Sequence, residues 1–337
     1  LIRRQWSENE RLVYPAMEPI IEMTTSVGRA ERWLPAFMKG KAFWCGFALT
    51  SFVFWWNMLS WFFPQFPRFP TARARWTFFS RDYPPAFFFL SAVVICFSYF
   101  ASLEILFSIW FFDVLFIVEG GILNRFGVRA ISPYYGTGRY MWQTAGGFFA
   151  LALWGLWVAR LHLRDVVRKA FRPSRSEMDD SHELLSYRGA LLGLAISCLF
   201  IGLWLARVGM ELHLILLLIP SMLLVYTTVA KILADSGIIY ANPPTSAWGL
   251  SIMALGGSDA LAISSRAALR ISSRAVNHYR GLTMGTMVHI NRLGEFVHGD
   301  RRRLFWAVCV SFAVGLATSS LFTIWLGYTI GGYNFQP

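Results

Sequence analysis

Charge is scarce in this sequence. Only 15% of its 337 residues are Asp, Glu, Lys or Arg, against about 25% in a soluble domain. That scarcity excludes a disordered chain and an ordinary cytosolic enzyme. Cysteine is scarce too. Cys45, Cys96, Cys198 and Cys309 all fall inside apolar runs, and none has a CxxC spacing. They read as small buried hydrophobes, not as a disulfide frame or thiolate metal site. The six histidines lack metal-ligand spacing. A phosphate-binding loop, an HExxH helix and a nucleophile elbow are all missing. We therefore expect neither enzymatic activity nor a metal or other cofactor.

What the sequence has is apolar and aromatic surface. Hydrophobic residues make up 55% and aromatics 17%, with a mean hydropathy of +0.46. A spanning helix needs about 20 predominantly apolar residues. Runs of that kind begin at Ala42–Phe63, stopped by Pro64. The stretch Ala86–Gly121 is too long for one span and is expected to fold as two, turning near Tyr99–Ser102. Tyr140–Ala159, Gly189–Ala206, Leu212–Ala234 (with Pro220 as a kink) and Leu304–Tyr328 complete the set. The expected fold is an all-α polytopic transmembrane helix bundle of about seven spans. It divides into a cytoplasmic amphipathic entry segment (1–41), a bundle of about six helices (42–234), broken and amphipathic helices on the cytoplasmic side (235–303), and a last span with its tail (304–337). The first forty residues are too polar for a signal peptide. Because Leu1 is not Met, we expect further spans upstream, with this chain the C-terminal part of a larger inverted-repeat, transporter-like fold.

The net charge of +12 reports topology here, not a nucleic-acid partner. With residues 1–41 in the cytoplasm, segments 1–41, 160–188 and 231–303 hold 7, 7 and 9 Lys and Arg, and the opposite side holds only 8 of the 31. The positive-inside rule is met if 86–121 crosses twice. A multi-pass protein of the cell inner (plasma) membrane with a cytoplasmic N-terminus follows. Trp55, Trp56, Trp61, Phe62 and Phe63 crowd the outer end of the first span, and Trp306 and Trp325 bracket the last. They form an interfacial aromatic belt.

The acids inside apolar runs carry the most information. Asp113 lies near the middle of its span, in IWFFDVLFIVEGG, with Glu104 and Glu119 toward the two ends. A carboxylate at the bilayer centre costs about 3 kcal/mol or more, so it faces a bundle interior or a watery path. On an ideal helix Glu104 and Glu119 point within about 60° of each other, and Asp113 lies roughly opposite Glu104. A single proton wire along one face is not supported. Asp113 reads either as a coupling site or as a buried hydrogen-bonding group reaching Asn57, Gln143 or a backbone carbonyl. Glu211 and His213 beside Arg207, and Lys231 four residues before Asp235, read as interfacial ion pairs or snorkelling groups.

Arg266, Arg270 and Arg274 recur every four residues and line one helix face, which Ile263 interrupts. The face suits lipid phosphates, with an anionic solute or partner surface as the alternative. The stretch from Asp235-Ser236-Gly237 through Asn242-Pro243-Pro244 to Gly256-Gly257 reads either as a broken helix at membrane depth or as a cytoplasmic loop.

Several segments resemble a known family. WSENERLVYPAMEPIIEM (Trp6 to Met23) is similar to a junction in oligopeptide-transporter-like proteins, where Leu-x-[Phe/Tyr]-Pro opens a helix; here it is Leu12-Val13-Tyr14-Pro15. FSYFASLEILFSIWFF (Phe97 to Phe112), ALWGLWVARLHLRDVV (Ala152 to Val167) and LLSYRGALLGL (Leu184 to Leu194) resemble a bacterial multi-pass family of unknown function within the oligopeptide transporter superfamily. The resemblance touches about two-thirds of the chain, which has no Asn-Pro-Gly element. It implies a proton-coupled secondary transporter without naming its substrate. The expected function is ion- or proton-coupled movement of a small polar or peptide-like solute, with Asp113 first and Glu104 second as coupling groups, and Tyr14 and Pro15 shaping a helix entry. The alternative is a non-catalytic membrane subunit or scaffold of a larger complex. The partners expected are the lipid bilayer, a solute or proton, and membrane proteins or further copies of the chain.

Overall fold

The apolar runs become helices because lipid offers the backbone no hydrogen-bond partner, so a span must satisfy its own N–H and C=O groups. The computed structural model describes residues 1–27, 36–99, 101–127, 139–172, 183–236, 243–277, 283–296 and 301–332. A short π turn (Gln5–Asn9) and a 3-10 turn (Pro15–Met17) precede α1 (Glu18–Val27) and α2 (Lys41–Phe62). A β-hairpin follows, β1 (Ala72–Thr77) and β2 (Ala86–Ser91), then α3 (Ala92–Ser98) and α4 (Leu103–Arg125). The rest is helical: α5 (Arg139–Phe171), α6 (Tyr187–Arg207), α7 (Leu212–Ser236), α8 (Ala247–Ala254), α9 (Ile263–Asn277), α10 (Thr283–Phe296) and α11 (Arg301–Ile330). Among the described residues six helices are long and apolar enough to cross a membrane: α2, α4, α5 from Ala145, α6, α7 and α11. The all-α bundle stands, with six such helices against the seven expected.

The difference lies in 86–121. The break falls where the sequence put it, with α3 ending at Ser98 and Ser102 capping α4 by accepting from the Ile105 N–H at 3.4 Å. The first half is not a spanning helix. Pro85 holds Pro84 extended, and Phe87-Phe88-Phe89 favours a strand. Trp76 pairs with Phe87 across the antiparallel hairpin, their ring centroids 4.5 Å apart. The chain path is nonetheless preserved. Asn124 Nδ2 donates to the Asp82 carbonyl at 2.8 Å, and Arg125 stacks over the Tyr83 ring at 5.3 Å. Residues 82 and 83 thus sit at the C-terminal end of α4, and Ser102 sits at its N-terminal end. Residues 84–102 retrace the helix, about 34 Å at 1.5 Å per residue.

A second difference concerns α5. The basic loop expected from Arg160 is helix as far as Phe171, and Arg160 lies over the Trp157 ring at 4.1 Å.

Helix α7 is the hub and runs unbroken through Pro220. Leu214, Leu218, Val225, Val229 and Leu233 pack with Leu205 of α6, Phe148 of α5, Ala247 and Leu250 of α8, and Ala268 and Leu269 of α9. One third of its apolar window is buried, against none in α2 or α11. The opposite face of α7 presents Ala230 and Ala234, both fully buried, to Trp6, Tyr14, Met17 and Ile21. Helix α10 comes close to α7 at Gly285, where a Cβ would lie 2.5 Å from Leu233 Cδ1. Gly285→Val is therefore expected to lower stability by about 1–3 kcal/mol through overpacking, read by thermal unfolding in detergent. An unchanged melting temperature would refute the close approach.

Candidate functional site

The strongest concentration of polar interactions lies at the C-terminal end of α7, where residues 1–17 dock. The Arg3 guanidinium forks onto Glu183, Nε donating to Oε2 at 2.8 Å and Nη2 to Oε1 at 2.6 Å, while Nη1 reaches Glu295 at 2.9 Å. Arg292 also bonds Glu295 and lies over the Tyr14 ring at 5.6 Å. His162 of α5 meets the Leu1 carbonyl at 2.9 Å. Tyr14 has φ +52° and its N–H donates to the Ala234 carbonyl at 3.0 Å. A bulky residue with positive φ is strained. Here the strain places a donor on a carbonyl in the last turn of α7, where no intrahelical partner exists. Pro15, with its fixed φ, opens the following turn.

The electrostatics follow from burial. Desolvation alone would raise the Glu183 carboxyl, but the Arg3 hydrogen bonds and charge outweigh it and hold the group below the usual carboxylate range. The same bonds raise Arg3. Burial pushes the Tyr14 phenol up and the His289 imidazole down. Both ring nitrogens of His289 are buried with no hydrogen-bond partner among the described residues. Its folded pKa is below the unfolded value of about 6.5, so its neutral form is fully compatible with the fold above that pH. As pH falls below it, the unfolded chain takes up the proton first and stability is lost. His289→Phe is expected to be stabilising by about 1 kcal/mol at about pH 5.5, and by less at pH 7.5. Melting curves at the two pH values check it; equal gains at both would refute the assignment.

Beside this cluster, Lys231 Nζ is 2.6 Å from Glu10 Oε2, each side chain 16% exposed. Gln5 Nε2 steadies Glu10 from behind at 3.0 Å. Gly155 of α5 faces the lysine, so that a Cβ there would lie 3.6 Å from Nζ. A cavity of about 20 Å³ opens here between α5 and α7, walled by Leu151, Ala152, Leu156, Thr227 and Lys231 and covered by Ile2 and Trp6. A cleft of about 370 Å³ lies nearby, lined by Arg3, Ser7, Glu8, Glu295 and Arg301.

The second notable element is the α8–α9 pair. Helix α8 is capped by Ser246, whose Oγ accepts from the Gly249 N–H. It ends at Gly256 and Gly257, with φ +86° and +116°, values open to glycine alone without strain. Ser265, at the start of α9, donates to Glu211 Oε2 at 2.9 Å and accepts from the Glu211 N–H at 3.1 Å. Glu211 opens α7 at the end opposite Ala234. The chain therefore leaves α7 at Ser236, reaches its other end by Ser265, and is back beside Leu233 by Gly285. That return covers about 33 Å of α7. The charge alternation predicts 231–303 at the end where residues 1–41 lie, with a broken helix at membrane depth as the other reading of 235–257; the observed return along α7 differs from the first of these. Trp248 Nε1 and Thr245 Oγ1, at the entry to α8, are buried with no hydrogen-bond partner among the described residues.

The residues singled out from sequence separate into groups. Tyr14 and Pro15 are buried at the docked end. Asp113 and Glu104 are exposed on α4, and Glu119 accepts from Gln143 Nε2 at 3.3 Å. The partners considered for Asp113 are engaged elsewhere: Gln143 with Glu119, and Asn57 with the Phe69 backbone. Among the described residues no hydrogen bond or ion pair joins these three acids to residues 1–17. Lys231 pairs with Glu10, not with Asp235, which is exposed. Glu211 turns to Ser265 of α9. Arg266 and Arg270 lie on the exposed side of α9 with Ile263, and Arg266 is 4.0 Å from Asp259. The Arg274 side chain lies outside the described residues. Among the described residues no group of three His, Cys, Asp or Glu is placed to hold a metal ion. Arg3, Glu10 and Glu183 were missed, since each lies in a polar segment far from its partner in sequence; Arg292 and Glu295, three residues apart, join the cluster only through Arg3 and Tyr14. Lys231, an ionisable residue in an apolar run, carried the one usable signal.

No curated protein and no solved structure matches the chain. One family model does, over residues 1–337, and the chain belongs to that family, a family of unknown function (DUF6785).

Proposed function

We propose that this protein is a transporter-like membrane protein that moves a small polar or peptide-like solute by ion- or proton-coupled secondary transport. One observation carries the reading: an ion pair, Lys231–Glu10, is set in the wall of a cavity between two membrane-length helices and covered by a segment from outside the bundle. Ionisable side chains at such places mark solute and ion paths. The broken α8–α9 pair beside α7 supports it, since discontinuous helices bring free backbone groups to transporter sites. The resemblance to the oligopeptide transporter superfamily points the same way. In this reading the protein resides in the inner membrane with residues 1–17 on the cytoplasmic side, and Asp113 stays the first candidate for coupling, ahead of Glu104.

The test is uptake by proteoliposomes carrying the full-length protein, challenged with pooled di- to tetrapeptides while a dye reports internal pH. Substrate-dependent acidification is expected, and its loss in Asp113→Asn would assign the coupling role. No flux from a folded, correctly oriented protein would sink peptide transport.

A second reading has its own observation. Helices α2 and α11 bury none of their apolar windows, as expected of a membrane subunit or scaffold whose helices pack on partner proteins or on further copies of the chain. A stable complex isolated from native membranes without any flux would favour it.

A further inference from the structure

We infer that Lys231 is a carboxylate-binding site, that Glu10 is its built-in occupant, and that a small solute carboxylate takes Glu10's place. The inference rests on the transport reading and names the solute class for the same site. Lys231 is the one Lys or Arg of α7. Its partner comes neither from α7 nor from the facing α5. Glu10 is carried on the docked segment, just past the π turn. Two spans holding a permanent structural pair would each contribute one charge. Here the carboxylate arrives on a separable element.

The cavity chemistry fits a carboxylate. An ammonium has three donors, and among the described residues Glu10 is the one partner of Lys231. The hydroxyls in the cavity wall, of Thr227 and Thr228, donate to the Leu223 and Leu224 carbonyls of their own helix. The rest of the wall is Leu151, Ala152, Gly155, Leu156 and Ala159, which suits a short apolar or neutral tail. At about 20 Å³ the cavity admits roughly one water. A ligand enters only if Trp6 and Ile2 move, and Trp6 lies in the π turn that leads to Glu10. Binding and displacement of the segment are thus one event.

Exchange is the energetically open route. Stripping Lys231 of its partner leaves a buried charge unmatched, which is strongly unfavourable, whereas trading one carboxylate for another keeps the pair. The segment stays tethered meanwhile, by Arg3 to Glu183 and Glu295 on one side and by the Tyr14 N–H to Ala234 on the other.

Hydrogen exchange of the full-length protein in nanodiscs tests this, with sodium propionate as probe and sodium chloride at equal ionic strength as control. Propionate is expected to raise deuterium uptake saturably over residues 5–13, and chloride is not. Glu10→Gln removes the competing occupant, so uptake there is high without probe, and propionate binds at least about tenfold more tightly. The double variant Glu10→Gln with Lys231→Met replaces the pair by neutral groups and keeps the fold testable; propionate binding is lost. Wild-type uptake unaffected by propionate, or a double variant that binds it as Glu10→Gln does, overturns the inference. A propionate response without solute flux leaves the site standing and removes the transport reading. Flux with residues 5–13 unresponsive does the reverse.

Discussion

Replacing Arg3 with alanine is expected to lower the unfolding free energy by about 3–5 kcal/mol, the range for removing one partner of a buried ion pair. The Arg3 side chain is 10% exposed, as is that of Glu183, and its fork is the junction of two carboxylates 112 positions apart in sequence. Without it, Glu183 loses both guanidinium hydrogen bonds, and among the described residues Glu295 keeps only Arg292. Arg3→Lys is expected to recover less than half, because an ammonium cannot reproduce the planar two-pronged contact. The depressed Glu183 pKa adds a pH signature. Its stabilisation is fully present above the unfolded carboxyl value of about 4.3 and is lost as pH falls through the lower folded value. Arg3→Ala removes that acid-sensitive component. Thermal unfolding in detergent from neutral pH downward measures both effects. A loss near the 0–1 kcal/mol of surface pairs would mean that the cluster is solvated and that residues 1–17 dock by Trp6 and Tyr14 alone.

Much of the membrane-length architecture was legible because lipid-facing helices need only length and hydrophobicity. Helices α2, α4, α6 and α11 are apolar around most of their circumference; α2 stops just before Pro64, and Ser102 and Ser186 cap α4 and α6. The Arg3–Glu183 contact joins segments 1–41 and 160–188, the two that the charge count expects on one side of a membrane. What failed had weaker local signals. The β-hairpin reads as a span because Phe87–Phe89 are as apolar as any helix, and hydropathy does not register the strand preference of aromatic residues. The long-range cluster was invisible because Arg3 meets partners 180 and 292 residues away, and no periodicity encodes such a pairing. Helix α9 reads as a cytoplasmic-side amphipathic helix because Arg266, Arg270 and Arg274 share one face. Its apolar face, Ala268 and Leu269, packs with the preceding Leu261 in the core around α7. A helix buried on one side against a span and polar on the other has the same sequence pattern as one lying on a membrane surface.

That last ambiguity leads to the second large effect, an all-or-none change of side. In a variant lacking the four native cysteines, Asp259→Cys and Glu8→Cys are expected to react with a membrane-impermeant maleimide from opposite faces of sealed vesicles. Asp259 lies between Gly257 and α9, the helix that Ser265 fastens to Glu211. Glu8 lines the cleft at the other end of α7 with Arg3 and Arg301. Both side chains are exposed, so neither substitution disturbs the core; Asp259 is fully so and Glu8 about half. The separation between them is close to the length of α7, about 37 Å for 25 residues, which exceeds the roughly 30 Å hydrocarbon core. Ser265→Val supplies the energetic control. It strips Glu211 of both hydrogen bonds, and if they fasten α9 then Asp259→Cys labelling in that background becomes heterogeneous, while Glu8→Cys labelling stays one-sided. Labelling of both cysteines from the same face would place α8 and α9 along the membrane surface. The broken-helix support for a transport path would then be gone, and the exposed arginines of α9 would become lipid-facing anchors.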